Sequence, residues 1–427
     1  MSGGQDSGGL HLPGPSSTRQ ARLNAFERYR ASGLPSRRDE DWKYTDVSAI
    51  ARRATLEPAG TAPPLTEDLL RHIEQSPPGL VFIDGHYAAE LSARFELPAG
   101  ATLVSLADGL DANDIPEALF DPVLERTPFD ALNSAFANCG IALGIAPGTT
   151  LAEPLRLLFV ASGNDAAIYP RNLIVAAEET RLCVIEHYLG AEQAGNFTDA
   201  LTAIRLGAGA RVQHCKLVQE GSRAIHIASL RASLAENSRL DAYSFVLDGM
   251  LTRNDISAGM NGPGAFCALN GLYLTDQRQH VDHHTRIDHA APDCTSREYY
   301  RGILDGESRG VFNGKVIVHP GAARSDAHQS NHHLLLSRSA EADTKPQLEI
   351  FADDVKCTHG ATVGQLDDAS LFYLRSRGID AELARSMQIY GFANDIIARI
   401  DDAALRELIA TRVLDRLPQG TKIKELL

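Results

Sequence analysis

The chain of 427 residues carries one tryptophan, 6% aromatic residues and no run of lysines or arginines. So few rings leave little stacking surface for sugars or bases. A formal net charge of -14 at pH 7 removes nonspecific attraction to nucleic acid or anionic membranes. The six cysteines, Cys139, Cys183, Cys215, Cys267, Cys294 and Cys357, are too scattered for a CxxC zinc or redox pair. No disulfide framework is expected, and in a reducing compartment most of them serve as small buried apolar residues. Also missing are a GxxxxGK[ST] phosphate loop, a GxSxG nucleophile elbow and a GxGxxG turn after a strand. The longest uncharged stretch, "ALNSAFANCGIALGIAPGTTLA", is broken by asparagine, glycine and proline, and so reads as a buried strand and turn, not a membrane span. The opening "MSGGQDSGGLHLPGPSS" has no apolar signal region. It reads as a disordered tail over 1–17, and the protein is placed in the cytosol.

What is present divides the chain into three further parts. From 18 to 139 the pattern is mixed and partly helical. "TRQARLNAFERYRASGLP" is an amphipathic helix stopped by Gly33 and Pro35, and charged residues surround Trp42 in "SRRDEDWKYTDV". A Pro-containing linker, "EPAGTAPPLTEDL", follows. From 140 to 366, short β-rich runs such as "RLCVIEHYL", "ARVQHCKLV" and "GKVIVHP" alternate with turns such as "GAGA", "AENS" and "HPGAA". That is too long for one sandwich and favours a mainly β, β-helix-like solenoid, although no strict repeat is visible. From 367 to 427 the chain returns to helix, with Asp367, Asp368 and Asp380 as capping residues.

The stretch "DDVKCTHGATVG" is the first candidate site. In an extended strand, Val355, Cys357, His359, Ala361 and Val363 share one face. A thiol and an imidazole there are either buried structural groups or donors suited to iron or zinc. An iron–sulfur cluster usually takes four ligands, so two would leave the set to be completed from distant coils or another chain. A second candidate is "HVDHHTRIDH", where His280, Asp282 and His284 share a strand face as a metal set or as an ordinary polar surface. "HQSNHHLLLS" places His328, His332 and His333 within reach of Cys357 in a solenoid, as supporting groups or as a plain strand edge. Asp353 and Asp354 suit a strand-to-strand corner as well as acid–base chemistry. Tyr373, Tyr390 and Phe392 form a C-terminal stripe for helix packing, any exposed remainder being free to dock a partner.

Longer strings carry a resemblance. "DTKPQLEIFADDVKCTHGATVGQLDDASLFYLRSRGI" resembles the SufB/SufD family of scaffolds for Suf iron–sulfur cluster assembly. "GLPSRRDEDWKYTDV", "QHVDHHTRIDHAAPDCTSREYYRGIL", "VFNGKVIVHPGA" and "IYGFANDII" support it. Gly360 replaces the glutamate of the SufB branch, and "ADDVKC" is absent there, which places the chain with the SufD branch. The resemblance implies a right-handed parallel β-helix flanked by N- and C-terminal helical domains. It implies a non-enzymatic scaffold that pairs with a SufB-like paralogue through the β-helix and with a SufC-like ABC-type ATPase through the C-terminal helices. Tyr373, Tyr390 and Phe392 are the candidates for that last contact. A transient Fe–S cluster would be shared with the partner and passed to recipient apoproteins. His359 matches a position regarded as a cluster ligand or assembly residue, and Cys357 a neighbouring cysteine of less defined role. His332, His333 and His284 are left as supporting groups. Flavin association with such complexes has no residue here to carry it. The competing reading is a stand-alone β-helix enzyme, metal-dependent or carbohydrate-active.

Overall fold

The computed structural model describes residues 12–14, 16–53, 56–58, 65–77, 79–94, 96–106, 116–163 and 166–426. Most of the expected tail, and residues 59–64 of the expected linker, lie outside these.

Among the described residues, twenty strands run from β1 (Leu80–Ile83) to β20 (Lys356–Gly364) and form two ten-stranded sheets. From β8 (Arg181–Gly190) onward, even-numbered strands join one sheet and odd-numbered strands the other, always in parallel. The chain therefore winds as a parallel β-solenoid. Its sheets begin upstream of Gly140, because β1 pairs with the strand Leu155–Ala161 and the strand Ala101–Ser105 pairs with Ile141–Ile145.

A repeat exists in conformation where none is visible in residue identity. Arg181, Arg211, Arg239, Phe266, Thr295, Asp326 and Lys356 occupy one position in successive coils. Two residues before each stands a left-handed corner: Glu179, Gly209, Asn237, Gly264, Asp293, Arg324 and Asp354. The conformation, which disfavours a β-carbon, is retained because the corners stack. Gly209 N–H donates to Glu236 O at 2.9 Å and Asp293 N–H to Ala323 O at 3.0 Å, each in the next coil. The residue after each corner except the last is small and buried, and hydroxyls at Thr180, Ser238 and Ser325 bond back to Ala177, Ala235 and Ala322. Cys294 fills the same position, so its thiol is a small core group. Asp354 is the last corner.

In the first coils one column of the lumen is apolar, with Leu182, Val212, Leu240 and Cys267 stacked in register, while Glu186, His214 and Lys216 are buried further along the same strands. Each such aliphatic side chain contributes about 1.5–3 kcal/mol on burial. The outer face of each sheet is covered by one end of the chain. Ala25 of α1 (Arg19–Ser32), Trp42 and Phe129 of α4 (Pro128–Phe136) pack on Ile225, Ile227 and Leu251 of the odd-numbered sheet. Ile389 and Ile396 of α6 (Ala381–Ile397), with Leu405 and Ile409 of α7 (Ala403–Asp415), pack on Ile185, Leu217 and Phe245 of the even-numbered sheet. Asp380 and Asp402 cap these helices by accepting from Leu383 N–H and Leu405 N–H. No helix among the described residues is long and apolar enough to cross a membrane.

The far end of the solenoid is bare. β19 (Glu341–Ile350) pairs only with β17 (Arg309–Val318), and β20 pairs only with β18 (Asp326–Leu335).

Candidate functional site at the open end of the solenoid

β20 is in register with β18, so that Ala327, Gln329, Asn331 and His333 stand opposite Cys357, His359, Ala361 and Val363. The four β18 residues are buried in the lumen. Parallel in-register strands keep matched side chains on one face, so Cys357 and His359 extend the lumen columns by one layer. With no further coil above them, His359 is exposed and Val363 is 48% exposed. Cys357 is half-buried, beside Val316, Val318 and Ala327. Burial pushes its thiol up from the ordinary cysteine range, so the bare chain holds it protonated.

Beneath this layer the lumen is polar. Gln329 Nε2 donates to Glu298 Oε2 at 2.7 Å. Burial raises the Glu298 carboxyl to about 7. His333 Nε2 meets the Tyr273 hydroxyl at 2.5 Å. Several buried atoms here have no partner among the described residues, including Glu298 Oε1, Gln329 Oε1, both amide atoms of Asn331 and His333 Nδ1. Sequence reasoning missed Glu298, Gln329 and Asn331. On β16 (Thr295–Leu304) and β18 buried and half-exposed positions alternate, but several of the buried ones, Ser296, Glu298, Gln329, Asn331 and His333, are polar, so composition cannot tell the inner face from the outer.

The other candidate residues fall elsewhere. His328 and His332 point outward from β18, contacting Thr358 Oγ1 at 2.8 Å and Thr362 Oγ1 at 2.5 Å. His333 shares the inward face with His359 but stands four residues along, opposite Val363. His284 is on the odd-numbered sheet, 3.1 Å from Asp282. The set His280, Asp282 and His284 is tied to the N-terminal segment. Thr45 Oγ1 donates to Asp282 at 2.5 Å and lies 3.0 Å from His280 Nε2, while Arg253 pairs with Asp282 at 2.5 Å under the Trp42 ring. Among the described residues, no three His, Cys, Asp or Glu side chains converge into a metal-holding group. On the C-terminal helices, Tyr390 is buried against the solenoid and the Phe392 ring lies under Arg301. Tyr373 is 57% exposed on α5 (Asp368–Ser376), beside the exposed Phe372.

Known proteins are similar to this chain along most of its length. Residues 159–392 match the family described as SUF system FeS cluster assembly, SufBD core domain. The iron–sulfur cluster assembly protein SufD of Escherichia coli (strain K12) is 35% identical over 396 residues, covering 92% of this chain and 91% of that protein. A SufBD family protein of Synechocystis is 31% identical over 407 residues, covering 90% and 88%. SufD of Bacillus subtilis is 24% identical over 417 residues, covering 94% of both. A parallel solenoid, a cysteine and histidine on its open last strand, and similarity along nearly the whole length lead to one assignment: the chain belongs to the SufBD family of SUF-system iron–sulfur cluster assembly proteins.

Proposed function

We propose that the chain is a non-enzymatic scaffold subunit that contributes a ligand to a nascent Fe–S cluster at an interface with a SufB-type partner. The observation that carries this reading is the placement of His359: exposed, inward-facing, and on an edge strand whose outer side is unpaired. An edge strand with free N–H and C=O groups is a template for pairing with another chain. The final layer adds exposed apolar surface in Val363, Ile350 and Phe351, which a covering partner would bury.

The cluster is cargo, built and passed on. One imidazole and one thiol supply two donors where a cluster usually takes four, and the partner supplies the rest. Cys357 enters that chemistry as the thiolate and releases its proton on binding iron. A SufC-type ATPase binds the C-terminal helices. Tyr373 is the exposed aromatic among the three candidates there, whereas Tyr390 and Phe392 hold α6 to the solenoid.

The test is anaerobic reconstitution of the co-purified complex, with iron and sulfide counted for wild type, Cys357→Ser and His359→Ala. The His359→Ala chain is expected to fold and to associate normally while cluster content collapses. Normal cluster content in that variant would reject the reading.

A further inference from the structure

Glu298, Gln329 and His359 are successive members of one inward column on β16, β18 and β20, matched residue for residue in the parallel register. Adjacent strands lie about 4.8 Å apart, so His359 stands one layer above Gln329 in this column. Gln329 is 1% exposed, and its Nε2 is committed to Glu298. The amide also lies against Gly314 of the facing sheet, where a β-carbon would overlap it. Its orientation is therefore fixed from two sides. Its Oε1 is buried and has no partner among the described residues. A buried carbonyl without a donor costs about 1–3 kcal/mol. The next side chain on the open side of the column is His359, which carries an imidazole N–H.

We propose that Gln329 is a positioning residue for His359: its Oε1 accepts one imidazole N–H and leaves the other ring nitrogen free to face the cargo, with Glu298 fixing the amide. This rests on the reading of His359 as a ligand. A histidine that binds metal through one nitrogen generally donates its other N–H to an oxygen, which fixes tautomer and ring orientation. Gln329 and Glu298 do not touch the cargo. They act through the ring above them.

Two measurements test this. In 15N spectra of the full chain labelled at histidine, His359 is expected as one dominant tautomer, and Gln329→Leu is expected to return it to a mixture. In the co-purified complex at limiting Fe2+, Gln329→Leu is expected to lower retained iron by roughly ten- to hundredfold. Glu298→Gln keeps an acceptor for the amide and is expected to stay within about twofold of wild type, whereas Glu298→Leu should follow Gln329→Leu. A mixed tautomer in the wild-type chain overturns the proposal even if the leucine variants do not fold. Loss of iron in His359→Ala with no loss in a folded Gln329→Leu overturns it alone, leaving the ligand reading in place. Full iron retention in His359→Ala overturns both.

Discussion

The Tyr273 hydroxyl reaches His333 Nε2, 2.5 Å away and two strands above, through a gap left by Gly302. A β-carbon at Gly302 would lie 2.5 Å from the Tyr273 ring. The polar end of the lumen is thus braced by a bond that skips a coil, and the glycine is there for passage, not for turning. Tyr273→Phe is expected to leave His333 with an unpaired buried nitrogen and to cost about 1–3 kcal/mol in urea unfolding. Gly302→Ala should cost at least as much, by forcing the ring aside. Neither change should alter tautomer or iron retention at His359, since neither touches its column.

Acid should destabilise the chain through its buried histidines. Burial is the leading cause that lowers His187, His289 and His333 to about 4 and His283 to about 3. The unfolded chain protonates these rings near pH 6.5, while the folded chain keeps them neutral. Between about pH 6.5 and 4 these four rings bind protons only in the unfolded state, which exceeds the opposite uptake by the buried Glu298 and Asp199 carboxyls in the folded state, and stability falls as pH falls. Urea midpoints should drop steeply across that window and level off above it. His289→Gln should reduce the slope by about one proton. A midpoint flat from pH 7 to 4.5 would contradict this account.

The N-terminal segment seats on a buried ion pair of the solenoid, with Thr45 bonding to Asp282 and the Trp42 ring lying against Arg253. Arg253 and Asp282 are both almost fully buried, and Asp282 also accepts from Thr45. Asp282→Ala leaves the guanidinium without its counter-ion and is expected to cost about 3–5 kcal/mol. Thr45→Val removes a single hydrogen bond and should cost about 1 kcal/mol. Its clearer signature is faster proteolysis before residue 53, with the solenoid intact.

The edge of β20 is open to a charge test. Val363→Glu puts a carboxylate on the bare apolar end, where it stays solvated in the free chain. The variant should fold with wild-type stability, yet fail to co-purify with a SufB-type partner. Unchanged co-purification would place the interface elsewhere.

The solenoid was legible in the sequence because turn residues punctuate the β-rich runs at near-even spacing. The repeat was not, since stacking selects a conformation at each corner, and glutamate, asparagine, aspartate, arginine and glycine all satisfy it. Cys357 and His359 were placed on a common face by period-two alternation alone. That this face belongs to the lumen was hidden, because Glu298, Gln329, Asn331 and His333 put polar groups where a core is expected. The histidines 280 to 284 stood out as a metal-like set, but their partner is Thr45, 235 residues from His280 in the chain, and no local pattern announces it.

The central claim is that the His359 ring coordinates iron at a surface completed by a second polypeptide. Pulsed EPR on the reconstituted, reduced complex tests it most directly, with 15N-histidine incorporated only into this chain. The account predicts a histidine nitrogen coupling to the cluster that carries the 15N signature and vanishes in His359→Ala. A cluster spectrum without that coupling, or with one unchanged in the variant, would contradict it.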